Sequence, residues 1–283
     1  MGRRSDLLTD NAKSDASDTG VIQVVSRAFD VLRCFESHNA RLGNRDVATR
    51  CGLPPSTVSR LTLTLTRLGH LVYLPQDQKY RLGPSAVAMS TSMVKGLHFR
   101  DLLKTRMQEF AEKLPGTIGF VLPDRFHLVY LEYARTYNAI GLHSSTGTRI
   151  AMARTAAGHA YVAALAPDKC DALLAEMDRE VPADAQALRE YLDGDRASLR
   201  KNGYVTSCGL WHPLINGCSV PLWSRHYQTY VVVTIGLLAS MYDEAQLHSE
   251  VAPLMLELAH DISEIPDGLE VEPIRFDPLA GPE

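Results

Sequence analysis

Apolar residues recur at helical spacing from the third decade of the chain. Val24, Val25, Ala28, Val31, Leu32 and Phe35 fall three and four apart, with Ser26, Arg27, Asp30 and Arg33 between them, and predict an amphipathic helix. Asn44 stands where it can cap a short helix over residues 45–51 that buries Val47 and Ala48. Gly52 ends that helix, since glycine enters the left-handed region without steric cost. Leu53-Pro54-Pro55-Ser56-Thr57 restarts helix at once, because a first turn has no partner for the N–H that proline lacks. Val58, Leu61, Leu65 and Leu68 then mark one apolar face, closed by Gly69. Two β-type runs, 71–74 and 79–82, flank Pro75-Gln76-Asp77-Gln78 as a hairpin with a polar tip. Helix, short helix, break, longer helix and hairpin is the plan of a winged helix-turn-helix.

Gly83-Pro84 interrupts the pattern. Residues 85–114 read as one or two helices with a kink at Gly96, and Leu97, Leu102, Leu103, Met107, Phe110 and Leu114 give the second half its apolar face. Short branched or aromatic runs follow at 117–122, 127–133, 138–143 and 149–153, then helices over 155–165, 167–177 and 184–202. Strands are predicted at 204–208, 217–223 and 229–238, before a last helix over about 243–265. Pro266, Pro273, Pro278 and Pro282 argue against any further element. Two blocks of strands around helices predict an α+β domain with a mostly antiparallel sheet. The expected organisation is a disordered arm (1–20), a winged head (21–83), a linker helix (84–96), a larger domain (97–266) and a disordered tail (267–283).

Composition narrows the function. With 45% hydrophobic and 22% charged residues, the chain of 283 residues is neither wholly disordered nor collagen-like. The longest clean apolar stretch, 230–239, is broken by Thr234 and has strand length, so no membrane span is expected. Residues 1–20 lack the apolar core of a secretory signal, and five cysteines without a CxxC pair fit free thiols in a cytoplasmic protein. Charge is segregated. Residues 21–83 carry nine basic and four acidic side chains, whereas 84–283 carry 17 and 25. A basic head joined to an acidic body points to an anionic partner for the head alone. No GxSxG elbow or phosphate loop occurs, and an enzyme is not expected.

Three stretches of the head, Val25-Ser26-Arg27-Ala28-Phe29-Asp30-Val31-Leu32, Gly52-Leu53-Pro54-Pro55-Ser56-Thr57-Val58-Ser59-Arg60-Leu61 and Tyr80-Arg81-Leu82-Gly83, resemble the N-terminal module of the IclR family of bacterial transcription regulators. The similarity continues through Arg154-Thr155-Ala156-Ala157-Gly158-His159-Ala160 and Asn202-Gly203-Tyr204 and covers roughly residues 21–265. The resemblance implies a dimer or tetramer that binds double-stranded operator DNA and carries a GAF-like, effector-binding C-terminal domain.

In a winged helix-turn-helix the second helix of the motif enters the major groove. With the apolar face turned inward, Ser56, Thr57, Ser59, Arg60, Thr64 and Arg67 point outward, Arg60 with the fork that matches guanine. Lys79 and Arg81 on the hairpin and Arg45 on the preceding helix are expected at phosphates or the minor groove, and Leu63 is an exposed apolar residue. For the body, the resemblance implies a small organic acid between sheet and loop, its carboxylate at the start of the helix holding Ala156, Ala157 and Gly158. Close helix–sheet packing would want the same small residues. The resemblance also brings Cys208, Trp211, His212, Gly217, Cys218, Thr234 and Gly236 to the ligand. Here the chain departs from the family pattern: the acidic cluster after residue 206 is absent, Gly217 replaces a common cysteine, and the paired serines of the last strand are lost around Thr234 and Gly236. Gain of Trp211 and His212 with loss of acid and serine points to a larger, flatter ligand such as an aromatic acid. Cys208, His212, Cys218 and His226 could be weighed as a zinc site, but their spacing matches no common structural pattern, so neither metal nor cofactor is expected. The rival reading is a ligand-independent DNA-binding protein whose C-terminal domain only oligomerises.

Overall fold

The computed structural model describes residues 22–35, 40–95, 99–136, 145–265 and 271–273, and the chain divides into two compact units at residues 96/97. The first unit holds α1 (Gln23–Arg33), α2 (Asn44–Cys51), α3 (Pro55–Arg67), the hairpin β1 (Leu71–Leu74) and β2 (Lys79–Leu82), and α4 (Pro84–Lys95). Its core joins Val31 and Phe35 of the α1 end, Val47 of α2, Val58, Leu61 and Leu65 of α3 and Leu71 of β1. Each such side chain contributes on the order of 1.5–3 kcal/mol by leaving water.

Several local expectations are corrected. Gly43, not Asn44, precedes α2, and its N–H donates to the Asp46 carboxylate at 2.9 Å. Leu68 is 61% exposed, because α3 ends there and Gly69, at φ 77°, turns the chain away; Thr62 takes the fourth inward position. Its hydroxyl donates to the Val58 carbonyl at 3.0 Å, which makes burial of a polar residue tolerable. Val24 and Val25 are exposed, so only the second half of α1 enters the core. Leu42 bridges Tyr80 through paired backbone bonds, adding a third segment to the wing that the sequence pattern did not reveal.

The second unit is built on a sheet in the order β5-β4-β3-β8-β7-β6, with β9 pairing β7. Its strands are β3 (Thr117–Asp124), β4 (His127–Arg135), β5 (Arg149–Ala151), β6 (Val205–His212), β7 (Ile215–Ser224), β8 (Thr229–Leu238) and β9 (Val271–Pro273). All described pairings are antiparallel. The expected strand at 138–143 lies outside the described residues. Residues 271–273, expected in a disordered tail, instead pair with Leu222–Ser224 of β7; Pro273 is accommodated at the end of this edge strand, where its missing donor costs least.

One sheet face carries Ile118, Phe120, Cys218, Val220, Val233 and Ile235. It is covered by α5 (Arg100–Ala111), a π-helical turn (Leu247–Val251) and α10 (Ala252–Ser263), which follow the three-residue α9 (Glu244–Gln246). The other face is covered by α6 (Ala156–Ala164), α7 (Pro167–Glu180) and α8 (Pro182–Asn202). Every residue of α6 is buried, as expected of a helix apolar on all sides, and its alanines let it lie close to β7. His159 is the polar exception. Its Nδ1 lies 2.7 Å from the Asp195 carboxylate on α8 and its Nε2 lies 3.3 Å from the Ala153 carbonyl, so both ring nitrogens are satisfied in the core.

Candidate nucleic-acid interface and a cavity in the sheet

Helix α3 is held by its inward face and by Asn44. The Asn44 amide N–H donates to Ser59 Oγ at 3.2 Å and its carbonyl accepts from Thr62 Oγ1 at 3.0 Å, which locks α2 against α3. Sequence reasoning missed this role, since an asparagine at a helix start is ordinarily read as a cap. Ser56, Ser59, Arg60, Leu63, Thr64 and Arg67 are exposed and Thr57 is half-buried. Thr64 Oγ1 donates to the Arg60 carbonyl at 2.9 Å and Ser59 Oγ is engaged by Asn44, so each has part of its hydrogen-bonding capacity committed within the protein.

On the wing, Lys79 and Arg81 stand on one side of β2, while Tyr80 packs inward against Tyr73, ring centroids 5.0 Å apart. The cations divide into two groups. Arg33 pairs with Asp30, Arg41 with Asp77 at 2.8 Å, and Arg50 donates to the Cys34 carbonyl at 2.8 Å. Among the described residues, Arg45, Arg60, Arg67, Lys79 and Arg81 have no ion-pair partner, and neither has the half-buried Arg27 of α1. Five exposed cations without internal partners, spread over α2, α3 and the wing, can neutralise phosphates and release their counterions.

In the second unit a cavity of about 350 Å³ opens on the α6 face of the sheet. Its origin is a row of small side chains brought into register: Ser207 opposite Gly217, Gly217 opposite Gly236, and Gly236 opposite Thr117. The neighbouring row is small as well, with Ser219 and Thr234 bonded to each other at 2.7 Å and Gly119 beside them. Tyr130 covers Gly119, where a Cβ would lie 2.3 Å from its ring. Of the residues anticipated for a ligand, Ala156, Trp211, Gly217, Thr234 and Gly236 line this cavity.

The others do not. Cys218 points to the opposite sheet face, fully buried, and burial pushes its thiol up to about 12. Cys208 has the same strand parity as Thr206, which pairs with Cys218, so it too faces away. His212 is exposed, and its Nδ1 accepts from Leu214 N at 3.2 Å within the β6–β7 turn. Ala157 and Gly158 are buried in the first turn of α6; a Cβ on Gly158 would sit 2.0 Å from the Met152 carbonyl oxygen, so close packing fixes that glycine. The Gly158 N–H is taken by Thr155 Oγ1 at 3.2 Å. Cys208, His212 and Cys218 are therefore not gathered, and among the described residues no three His, Cys, Asp or Glu side chains form a metal site.

The cavity adds Tyr130, Thr148, Arg149, Ile150, Thr155, Ser207 and Ile215, which sequence reasoning did not single out. Arg149 Nη1 lies 3.2 Å from the Asp124 carboxylate and brings the cationic group among these lining residues. Hydroxyls, two aromatic rings and a guanidinium around an apolar floor suit a small molecule with a flat body and an anionic end.

Both units have known counterparts. The model of the IclR helix-turn-helix domain matches residues 24–75, and that of the C-terminal domain of the bacterial transcriptional regulator IclR matches residues 91–264. The chain is 28% identical over 229 residues to the HTH-type transcriptional regulator XynR of Escherichia coli K12, covering 80% of this chain and 90% of that one. It superposes on an IclR-family regulator from Brucella abortus with a TM-score of 0.77 at 28% identity, over 89% of this chain and 95% of the other. It shares its fold with an IclR homologue from Microbacterium hydrocarbonoxydans solved with 4-hydroxybenzoate, TM-score 0.62 at 19% identity, covering 84% and 96%. No helix among the described residues is long and apolar enough to cross a membrane. With both of its units matched in order, a helix-turn-helix head followed by the α+β body, the chain belongs to the IclR family of DNA-binding bacterial transcriptional regulators.

Proposed function

We propose that this regulator binds its operator through α3 in the major groove and responds to a small aromatic carboxylate held in the sheet cavity. The observation that carries the DNA reading is the set of five exposed cations without internal partners, Arg45, Arg60, Arg67, Lys79 and Arg81. Arg60 and Ser56 read base edges, Thr57, Ser59, Thr64 and Arg67 serve edges or adjacent phosphates, and Arg45, Lys79 and Arg81 clamp the backbone. A stripe of exposed apolar residues along α1 and the residue that precedes it, Ile22, Val25 and Phe29 at 68%, 48% and 50%, supports self-association. A homodimer or homotetramer would present two such heads to a two-fold symmetric operator.

For the ligand, Trp211 and Tyr130 supply flat apolar contact, Arg149 the counter-charge, and Thr148, Thr155, Ser207 and Thr234 hydrogen bonds. The 4-hydroxybenzoate bound by the Microbacterium homologue is a member of the same chemical class. A ligand shifts DNA binding only by its differential affinity for two states of the protein. The test is a thermal-shift screen of benzoate derivatives on the full chain, followed by operator binding with each hit. A concentration-dependent rise in unfolding midpoint together with a changed operator Kd is expected. Operator binding with no response to any carboxylate would favour a body that serves only in oligomerisation.

A further inference from the structure

Two thiols in the DNA-binding unit sit closer together than helix packing requires. Cys34 follows the last turn of α1 and Cys51 is the last residue of α2, yet their sulfurs are 3.0 Å apart. Both are half-buried and free, whereas Cys170 and Cys218 are fully buried and Cys208 is exposed. A disulfide needs about 2.05 Å, so about 1 Å of approach would join them. The surroundings hold the pair in place: Cys34 Sγ donates to the Asp30 carbonyl at 3.3 Å, and Arg50 of α2 donates to the Cys34 carbonyl at 2.8 Å. Cys51 is followed by Gly52, at φ 64°, where the chain turns into α3.

We propose that Cys34 and Cys51 form a peroxide-sensitive modification site, closing into an intrachain disulfide that pins α1 to α2 beneath α3. Burial and the Cys34 sulfur push the Cys51 thiol up to about 12, and the 3.0 Å separation lets either sulfur resolve an oxidised partner. One thiol attacks hydrogen peroxide and is oxidised to a sulfenic acid as the O–O bond breaks, its proton passing to the leaving hydroxide, which departs as water. The other sulfur then displaces the sulfenic oxygen, which takes up that thiol's proton and leaves as a second water. Two thiols and one peroxide give one disulfide and two waters. Closing a loop between residues 34 and 51 restricts the unfolded chain and stabilises the head.

The test treats the full chain with hydrogen peroxide, unfolds it, and counts free thiols with a chromogenic aromatic disulfide. Thiols are expected to fall from five to three. Non-reduced peptide mapping should give a 34–51 cross-link 2 mass units lighter than its two thiol peptides, reversed by dithiothreitol. The oxidised protein should also unfold at a higher temperature than the reduced one. Neither Cys34→Ser nor Cys51→Ser should give the cross-link, and any thiol that either variant loses to peroxide should return with dithiothreitol. Five thiols after treatment, a bridge between chains, or loss mapped to another cysteine would overturn the proposal; mapping of the unsubstituted protein decides this even if a variant folds poorly.

Discussion

Gly158→Ala separates two roles for the start of α6. A methyl group there would lie 2.0 Å from the Met152 carbonyl oxygen, 2.2 Å from its Cα and 2.4 Å from its carbonyl carbon, where about 3.0 Å is the practical minimum. All three atoms are backbone, so α6 must retreat by about 1 Å from the turn at Met152–Arg154. Overpacking of this kind costs about 1–3 kcal/mol. Retreat also weakens the Thr155 cap on the Gly158 N–H, worth about 1 kcal/mol, and the better helix propensity of alanine offsets about the same amount. The net expectation is a destabilisation of about 1–3 kcal/mol. At about 2–4 °C per kcal/mol for a domain of this size, the calorimetric midpoint of the C-terminal unit falls by roughly 2–12 °C. Gly194→Ala on α8 is the control, since nothing lies within 4 Å of its Cβ and propensity alone acts, raising the midpoint slightly. A Gly158→Ala midpoint equal to or above that of the unsubstituted protein would refute the packing argument. Loss of ligand response at an unchanged midpoint would instead restore Gly158 as a ligand-approach residue.

Three further outcomes follow from the same geometry. Arg60→Ala should cost about 1–3 kcal/mol of operator affinity and relax preference at one base pair, measured by anisotropy on singly substituted duplexes; an unaltered base preference would contradict a groove contact. Lys79→Ala should weaken binding uniformly across sequences and reduce the salt slope by about 1, and an unchanged slope would remove it from the phosphate contacts. Gly217→Val places its side chain where a Cβ already meets Ala156 Cβ at 3.2 Å, filling the cavity; the thermal shift with aromatic acids should disappear while operator binding persists.

The head was legible because its punctuation is local. Gly52 at φ 64°, Pro55 in the first turn of α3 and the inward Val58, Leu61 and Leu65 are each decided within a few residues of chain. The period misled at Leu68, where an apolar residue stays in phase but the helix has ended, and at Thr62, whose burial depends on a bond to its own helix and on Asn44. The cavity was only half legible for a different reason. It arises from the register that aligns Ser207, Gly217 and Gly236 across three strands, and no single strand contains that alignment. Strand parity decides the rest: Cys218 is adjacent to Gly217 in sequence but faces the opposite core. Arg149 and Tyr130 carried no motif and became candidates only when β4 and β5 closed the same hollow.

The most direct measurement of the central claim is the salt dependence of binding between the full chain and the duplex upstream of its own gene. With Arg60 at a base edge and Arg45, Arg67, Lys79 and Arg81 at phosphates, log K should fall with log salt at a slope of about −3 to −4 for each DNA-binding unit. A slope near zero, or no binding at low salt, would contradict a head that grips DNA through Arg45, Arg60, Arg67, Lys79 and Arg81.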